Sequence, residues 1–249
     1  MSPVQGVTVR ALLGSRPEAS GLTLDLLAGA GAVVLSPAHQ YPLGMALHPD
    51  RRAAAIAWAR ETGGLVIEDD YDAELRYDRQ PVGALQALAP AHVAYGGTVS
   101  KTLAPGLRLG WLLLPPALLD AVVALRRLED VHVSAPDQLA FTGLLRSGAY
   151  ELHIRRMRGR YRARRDHLLA SLPAAAAPVG IPAGLRVLLE LAGADELRAR
   201  AAERSLELFP LGGHYHDGRA TRDGVVLGYA ALPEHDFETG VAALADLLR

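Results

Sequence analysis

The sequence predicts an α/β protein with a mostly parallel sheet in a large domain, followed by a small α+β C-terminal unit. Three observations carry that reading. Up to Pro115, apolar runs bounded by Gly, Pro and Asp clusters alternate with a helical pattern. Two of those runs, VVLS and LVIE, are continuous rather than alternating, as fits strands covered on both faces. After Pro115-Pro116 the pattern changes to successive helices and then to short strands mixed with helices.

The elements follow in order. Strands are expected at Ala32 to Ser36, Leu65 to Asp69, His92 to Gly96 and Leu107 to Leu114. A helix from Pro49 to Thr62 lies between the first two, with apolar residues at helical spacing and a stop at Gly63-Gly64, which makes a β-α-β unit. Helices are then expected at Ala117 to Glu129, Pro136 to Ser147 and Tyr150 to Leu172. The stretch from Ala174 to Pro182 reads as a short low-complexity linker. Beyond it, GLRVLLEL, a helix from Asp195 to Arg204, the segments LELFPL and VVLGYAAL, and a last helix from Glu234 to Leu248 make the small unit. The division expected is a large domain over 1–120, interdomain helices over 121–172 and a C-terminal domain over 173–249.

Composition narrows the function classes. The chain has 249 residues, half of them apolar, enough for a sizeable core. A formal net charge of -1 predicts neither a polyanion-binding surface nor an acidic tail. Without cysteine there is no disulfide framework, thiolate nucleophile or thiolate-bound zinc, which agrees with a reducing cytosol. No basic segment followed by an apolar stretch opens the chain, and no apolar run reaches the roughly 18 residues of a membrane span, so a cytoplasmic location is expected. The helix bearing Arg155, Arg156, Arg158, Arg160, Arg162, Arg164 and Arg165 spreads its charge around most of its circumference. It reads as a solvated helix, and no nucleic-acid-binding segment is expected.

One residue stands out against this composition. Of 26 basic residues, 25 are arginine and one, Lys101, is lysine. An arginine cannot lose its proton in a protein, whereas a lysine amine can be deprotonated and attack a carbonyl. Amine chemistry would resist the drift to arginine; the alternative is chance survival of one lysine. The surrounding segment, Gly96 to Trp111, is not a phosphate-binding P-loop, because Ser100 and Tyr95 stand where that motif needs glycine and Pro105-Gly106 would break its helix. It does place short hydroxyl donors (Thr98 and Ser100), an amine (Lys101) and a bidentate donor (Arg108) within one strand and turn, a set able to fix an aldehyde and a phosphate together.

A second cluster, Glu68, Asp69, Asp70 and Asp72, ends an apolar strand. Metal ligation by these acids lacks the EF-hand spacing and its glycine. Ligand crevices of open α/β sheets lie at the carboxyl ends of strands, and a charged acid there can keep a pyridine nitrogen protonated. The alternative is an acidic loop that caps the next element.

Together these segments resemble the fold type I pyridoxal-phosphate aminotransferases, and most closely the aminotransferase-like domain of MocR-type regulators of the GntR superfamily. The motifs are SPAHQYPLG at 36–44, IEDDYDAELRY at 67–77, YGGTVSKTLAPGLRLGW at 95–111 and SGAYELHIRRMRGRYRARRDHL at 147–168. The resemblance implies pyridoxal 5′-phosphate held as a Schiff base on Lys101. It further implies Arg108, Ser100 and Thr98 on the phosphate, Asp69 on the ring nitrogen with Asp70 as the fallback, and Tyr71 on the phenolic oxygen. His39, Gln40 and Tyr41 stand where such proteins place a turn beside the ring.

Two departures from the pattern matter. Val226 occupies the late-strand position where aminotransferases often carry a carboxylate-binding arginine, which leaves that partner unassigned; Arg219 and Arg222, just upstream, are the candidates, and the alternative is that both are solvated loop charges. Related domains also begin earlier, with a glycine-containing phosphate loop, and MocR-type regulators begin with a winged helix-turn-helix. The large domain is therefore expected to be N-terminally incomplete. A complete domain would form a homodimer. Two functions compete: amino-group transfer on an amino acid or related amine, and effector sensing without turnover.

Overall fold

A computed structural model describes residues 9–11, 27–78, 82–215 and 222–249. Its first sheet runs in the order β1 (Val9–Ala11), β2 (Ala32–Leu35), β3 (Leu65–Asp70), β4 (Val93–Thr98) and β5 (Gly110–Leu113). Neighbours from β1 to β4 pair in parallel, and β5 returns antiparallel to β4, with Thr98 opposite Gly110. The mostly parallel sheet expected from the sequence is present. The reversal at β5 has a local cause: no crossover helix separates β4 from β5, only a turn ending in a short 3-10 segment at Pro105–Leu107.

Helix α1 (Pro49–Thr62) has the bounds its sequence predicts, with a proline in its first turn and Gly63 closing it at φ 71°. It buries Ala55, Ile56 and Ala59 against Val33 and Leu35 of β2, Val66 of β3 and Val93 of β4, a core completed by Leu27, Leu47, Leu85 and Ala89. Small residues on α1 let the helix lie close to the sheet.

Three helices follow, α2 (Pro116–Glu129), α3 (Ala135–Arg146) and α4 (Ala149–Ser171). None is long and apolar enough to cross a membrane. The arginine-rich α4 departs from its expected solvated character at one position. Arg164 is buried, donates to the carbonyls of Ala230 and Leu232, pairs with Glu234 at 2.7 Å and lies over the Phe237 ring. It fastens the long helix to the C-terminal unit.

That unit is a second sheet ordered β6 (Ala177–Val179), β7 (Arg186–Glu190), β9 (Gly224–Gly228) and β8 (Phe209–Pro210). Strand β6 lies within the stretch expected to be a linker; its alanines and Pro178 hide a pairing with β7 that sequence pattern alone does not reveal. On one face Val187, Leu189, Val225 and Leu227 pack against α4, α5 (Ala194–Ala202) and α6 (Glu234–Leu247). On the other, Leu188 and Val226 meet Tyr41, Leu43, Val179 and Tyr215. Alternation thus sends the odd-numbered residues of β7 to the helices and the even-numbered ones towards the first sheet.

Candidate functional site

The two sheets enclose a cavity of about 490 Å³. Its walls include Ser36, His39, Gln40 and Tyr41 from the loop after β2, Asp69, Tyr71 and Asp72 from the end of β3, Lys101 from the loop after β4, and Leu185 and Arg186 from the start of β7. Six residues singled out in the sequence therefore meet in one place: Lys101, Asp69, Tyr71, His39, Gln40 and Tyr41. They do so at the carboxyl ends of parallel strands, where chain reversals open a crevice.

The loop after β2 folds back tightly. Gln40 N donates to the Met45 carbonyl and Gly44 N to the Gln40 carbonyl, both at 2.7 Å, and the Tyr41–Pro42 peptide is cis. Ile181 N donates to the Gly44 carbonyl at 2.7 Å, which ties this turn to the C-terminal unit. Buried His39 meets buried Asp72 through Nδ1 and Oδ2 at 2.8 Å, while its Nε2 has no partner. A Cβ on Gly184, whose φ is +72°, would collide with both side chains, so that position requires glycine.

The four acids have separate tasks. Glu68 is buried and accepts from Leu85 N and Gln86 N, each at 2.9 Å, which fixes the turn before β4. Asp70 accepts from Tyr95 Oη at 2.8 Å and Ala73 N at 3.2 Å. Asp72 holds His39. Asp69 alone of the four opens onto the cavity without a hydrogen-bond donor to its side chain among the described residues, and Asp70, the fallback, does not line the cavity. Desolvation, and then the neighbouring Asp70 and Asp72, push the Asp69 carboxyl above its ordinary range. A cation placed beside it would reverse that shift. Tyr71 donates to the His39 carbonyl at 3.0 Å, and burial together with Asp72 and Asp69 pushes its phenol far up, so it stays a hydrogen-bond donor.

Lys101 lies on an exposed turn closed by Leu103 N donating to the Val99 carbonyl at 2.8 Å. The next residue, Thr102, is buried and anchored from α4. Tyr150 Oη donates to Thr102 Oγ1 at 3.0 Å, and His153 Nε2 lies 2.7 Å from the Thr102 carbonyl. No local pattern foretells that support, since the hydroxyl and aromatic residues stand 48 positions apart. Thr98 Oγ1 lies 2.9 Å from Ser100 Oγ and accepts from Ser100 N at 3.1 Å. Arg108 is exposed at φ 48°, a left-handed conformation uncommon outside glycine. Thr98, Ser100 and Arg108 flank the cavity in sequence but do not form its wall.

The two substitute arginines fare differently from expectation. Arg219 lies outside the described residues. Arg222 is paired with Glu190 at 2.6 Å, at the end of β7 opposite the cavity, so the structure does not bring it to the site. The arginine that does reach the wall is Arg186, which sequence reasoning passed over. Its signal was available: it is the charged residue opening an otherwise apolar run, RVLL.

Comparison with known proteins agrees with this geometry. The family model for class I and II aminotransferases matches residues 25–208, and the chain belongs to that family. It is 36% identical over 217 residues to YhdI of Bacillus subtilis, an uncharacterized HTH-type transcriptional regulator, covering 84% of this chain and 46% of the regulator. It is 35% identical over 220 residues to PdxR of Corynebacterium glutamicum, an HTH-type pyridoxine biosynthesis transcriptional regulator, covering 86% and 48%. The chain therefore spans about half the length of these relatives. Among solved structures, LysN, an α-aminoadipate aminotransferase of Thermus thermophilus complexed with N-(5'-phosphopyridoxyl)-L-leucine, superposes with a TM-score of 0.80 at 26% identity, over 95% of this chain and 64% of LysN. The expected fold type I architecture and the kinship with MocR-type regulators both stand.

Proposed function

We propose that this chain holds pyridoxal 5′-phosphate at Lys101 and uses it to recognise an amino acid or related amine. The observation that carries the reading is the convergence of Lys101, Asp69, Tyr71 and His39 on one cavity of about 490 Å³, a size suited to a small ligand. The donor set fits the cofactor. Lys101 would supply the amine for its aldehyde, Asp69 an unpaired carboxylate for its ring nitrogen, and Tyr71 a phenolic hydroxyl that would turn from the His39 carbonyl to its ring oxygen. His39, Gln40 and Tyr41 would contact the ring; Thr98, Ser100 and Arg108, near Lys101 in sequence but not on the cavity wall, are the groups that would have to receive the phosphate.

When bound, the cofactor supplies an electron-accepting ring next to the amino ligand. The protein's part is positional. Asp69 would keep a proton on the ring nitrogen, Tyr71 would orient the ring, and the Lys101 amine would take or return a proton at the ligand's α-carbon. Asp72 holds His39 in place and so shapes the cavity behind the ring.

Two uses of such a site differ in outcome. Sensing without turnover is favoured by the regulators among the relatives and by Val226, a buried apolar residue where aminotransferases often carry arginine. Amino-group transfer needs the same lysine and acid. We further infer a cytoplasmic homodimer, for which the exposed leucines of α2 and α3, such as Leu128 and Leu139, offer apolar surface.

The test is to load the chain with pyridoxal phosphate, add a panel of amino acids, and follow cofactor absorbance and keto-acid release together. A spectral change without keto acid supports sensing, and stoichiometric keto acid supports transfer. A chain whose Lys101→Ala variant gives the same cofactor spectrum overturns the reading. Asp69→Asn should blunt the ligand-induced change more than Asp70→Asn; the reverse order would shift the ring-nitrogen role to Asp70.

A further inference from the structure

Two cations line the cavity, Lys101 from the loop after β4 and Arg186 from the opposite sheet. Asp69 and Asp72 stand on the wall built by β3, whereas Arg186 enters from β7 of the C-terminal unit. Its guanidinium lies 5.2 Å from the centre of the Tyr41 ring; burial, and after it the Arg186 charge, lower the pKa of the His214 imidazole. Among the described residues no carboxylate pairs with it. Arg76, Arg164 and Arg222 have acidic partners at 2.6 to 2.7 Å, whereas Arg186, an exposed side chain on the cavity wall, keeps its donors open to a ligand.

Strand register gives this cation a meaning. Val226 sits on β9 directly opposite Leu188 of β7, and both face the Tyr41 side of the sheet. Arg186 is two residues before Leu188, so it shares that face and stands diagonally across from Val226, one step nearer the cavity. Diagonal neighbours lie about 7 to 8 Å apart, within reach of an extended arginine side chain.

We propose that Arg186 binds the carboxylate of the amino ligand, a grip supplied from β7 because β9 offers valine. The assignment rests on the cofactor reading above and adds that the ligand is an amino acid, not a simple amine. Its amino end faces Lys101 and Asp69, and its carboxylate receives the planar donor pair of Arg186 over the Tyr41 ring.

The test needs no turnover. Binding of N-(5'-phosphopyridoxyl)-L-leucine to the full chain is compared, by calorimetry, with that of the 3-methylbutylamine conjugate, which lacks only the carboxylate. A second pair uses 4-aminobutanoate and butylamine, so that a more distant carboxylate is also sampled. In at least one pair the carboxylated conjugate should bind about tenfold tighter, as one charge-assisted contact at a partly open site provides. Arg186→Gln should bring that ratio to about one while leaving the amine conjugate unaffected, and Arg186→Lys should keep part of it. Equal affinity within both pairs, or a preference that survives Arg186→Gln, overturns the role of Arg186 but leaves the cofactor site standing. Failure of every conjugate to bind the unmodified chain overturns the cofactor reading and this assignment together.

Discussion

Two sets of polar groups line the cavity, and the fold treats them in opposite ways. On the wall that includes His39 and Asp72, and just behind it at Gly184, side chains are tied together: His39 Nδ1 to Asp72, Tyr71 to the His39 carbonyl, and Tyr77 and Tyr229 to the Gly184 carbonyl. Bonds from Leu75 and Tyr77 to the 182–184 segment add to the same seam between the two sheets. Lys101, Asp69 and Arg186 open on the same space with no hydrogen bond or ion pair among the described residues. An amine, a carboxylate and a guanidinium left open around one cavity are the groups that a ligand of the proposed kind would engage. Removing a member of the first set should therefore cost stability, and removing a member of the second should cost only binding.

The sharpest way to break this contrast is Gly184→Ala. A side chain there meets His39 and Asp72 and is held at positive φ, so the substitution should destabilise the chain by roughly 2 to 5 kcal/mol. Urea denaturation measures it, and a midpoint equal to that of the parent would mean the seam is not rigid. Glu68→Gln comes next. It keeps the shape but replaces one of the two oxygens that receive Leu85 N and Gln86 N, leaving a buried donor unpaired at a cost of about 1 to 3 kcal/mol.

The third effect is a matter of pH. The Asp69 pKa is raised in the folded chain, so the folded state binds this proton more readily than the unfolded state does. Stability from this group consequently falls as pH rises from its ordinary value, about 4, through the raised one. Without cofactor, Asp69→Asn should be more stable than the parent at neutral pH, and the advantage should vanish below about pH 4. Thermal melts across that range check it; an advantage that grows towards acid would reverse the assigned cause. Smallest of all should be Lys101→Ala and Arg186→Gln, each within about 0.5 kcal/mol of the parent in denaturation because both side chains are exposed.

The same contrast explains what could be read from the sequence. Helix α1 was legible because a first-turn proline, apolar spacing and a closing glycine agree within one stretch. Lys101 was legible because it is one lysine among 25 arginines and follows a strand that ends in small hydroxyl residues. The acids were legible as a cluster, but their separate tasks were not. Glu68, Asp70 and Asp72 reach partners supplied by the turn before β4, by Tyr95 and by His39, and only the folded chain brings these within bonding distance. Strand β6 was hidden by alanine and proline, which carry no period, and the antiparallel β5 by the absence of any rule linking an apolar run to its direction. Arg186 was missed because expectation was fixed on β9 and the register that places β7 beside it is a tertiary fact.

The central claim is that Lys101 anchors the cofactor. The direct measurement is to incubate the chain with pyridoxal phosphate, reduce with borohydride, digest, and weigh the peptides. The account predicts a phosphopyridoxyl mass on the peptide carrying Lys101, and its loss in Lys101→Ala. A label confined to the N-terminal amine, or an unlabelled Lys101 peptide at saturating cofactor, would contradict it.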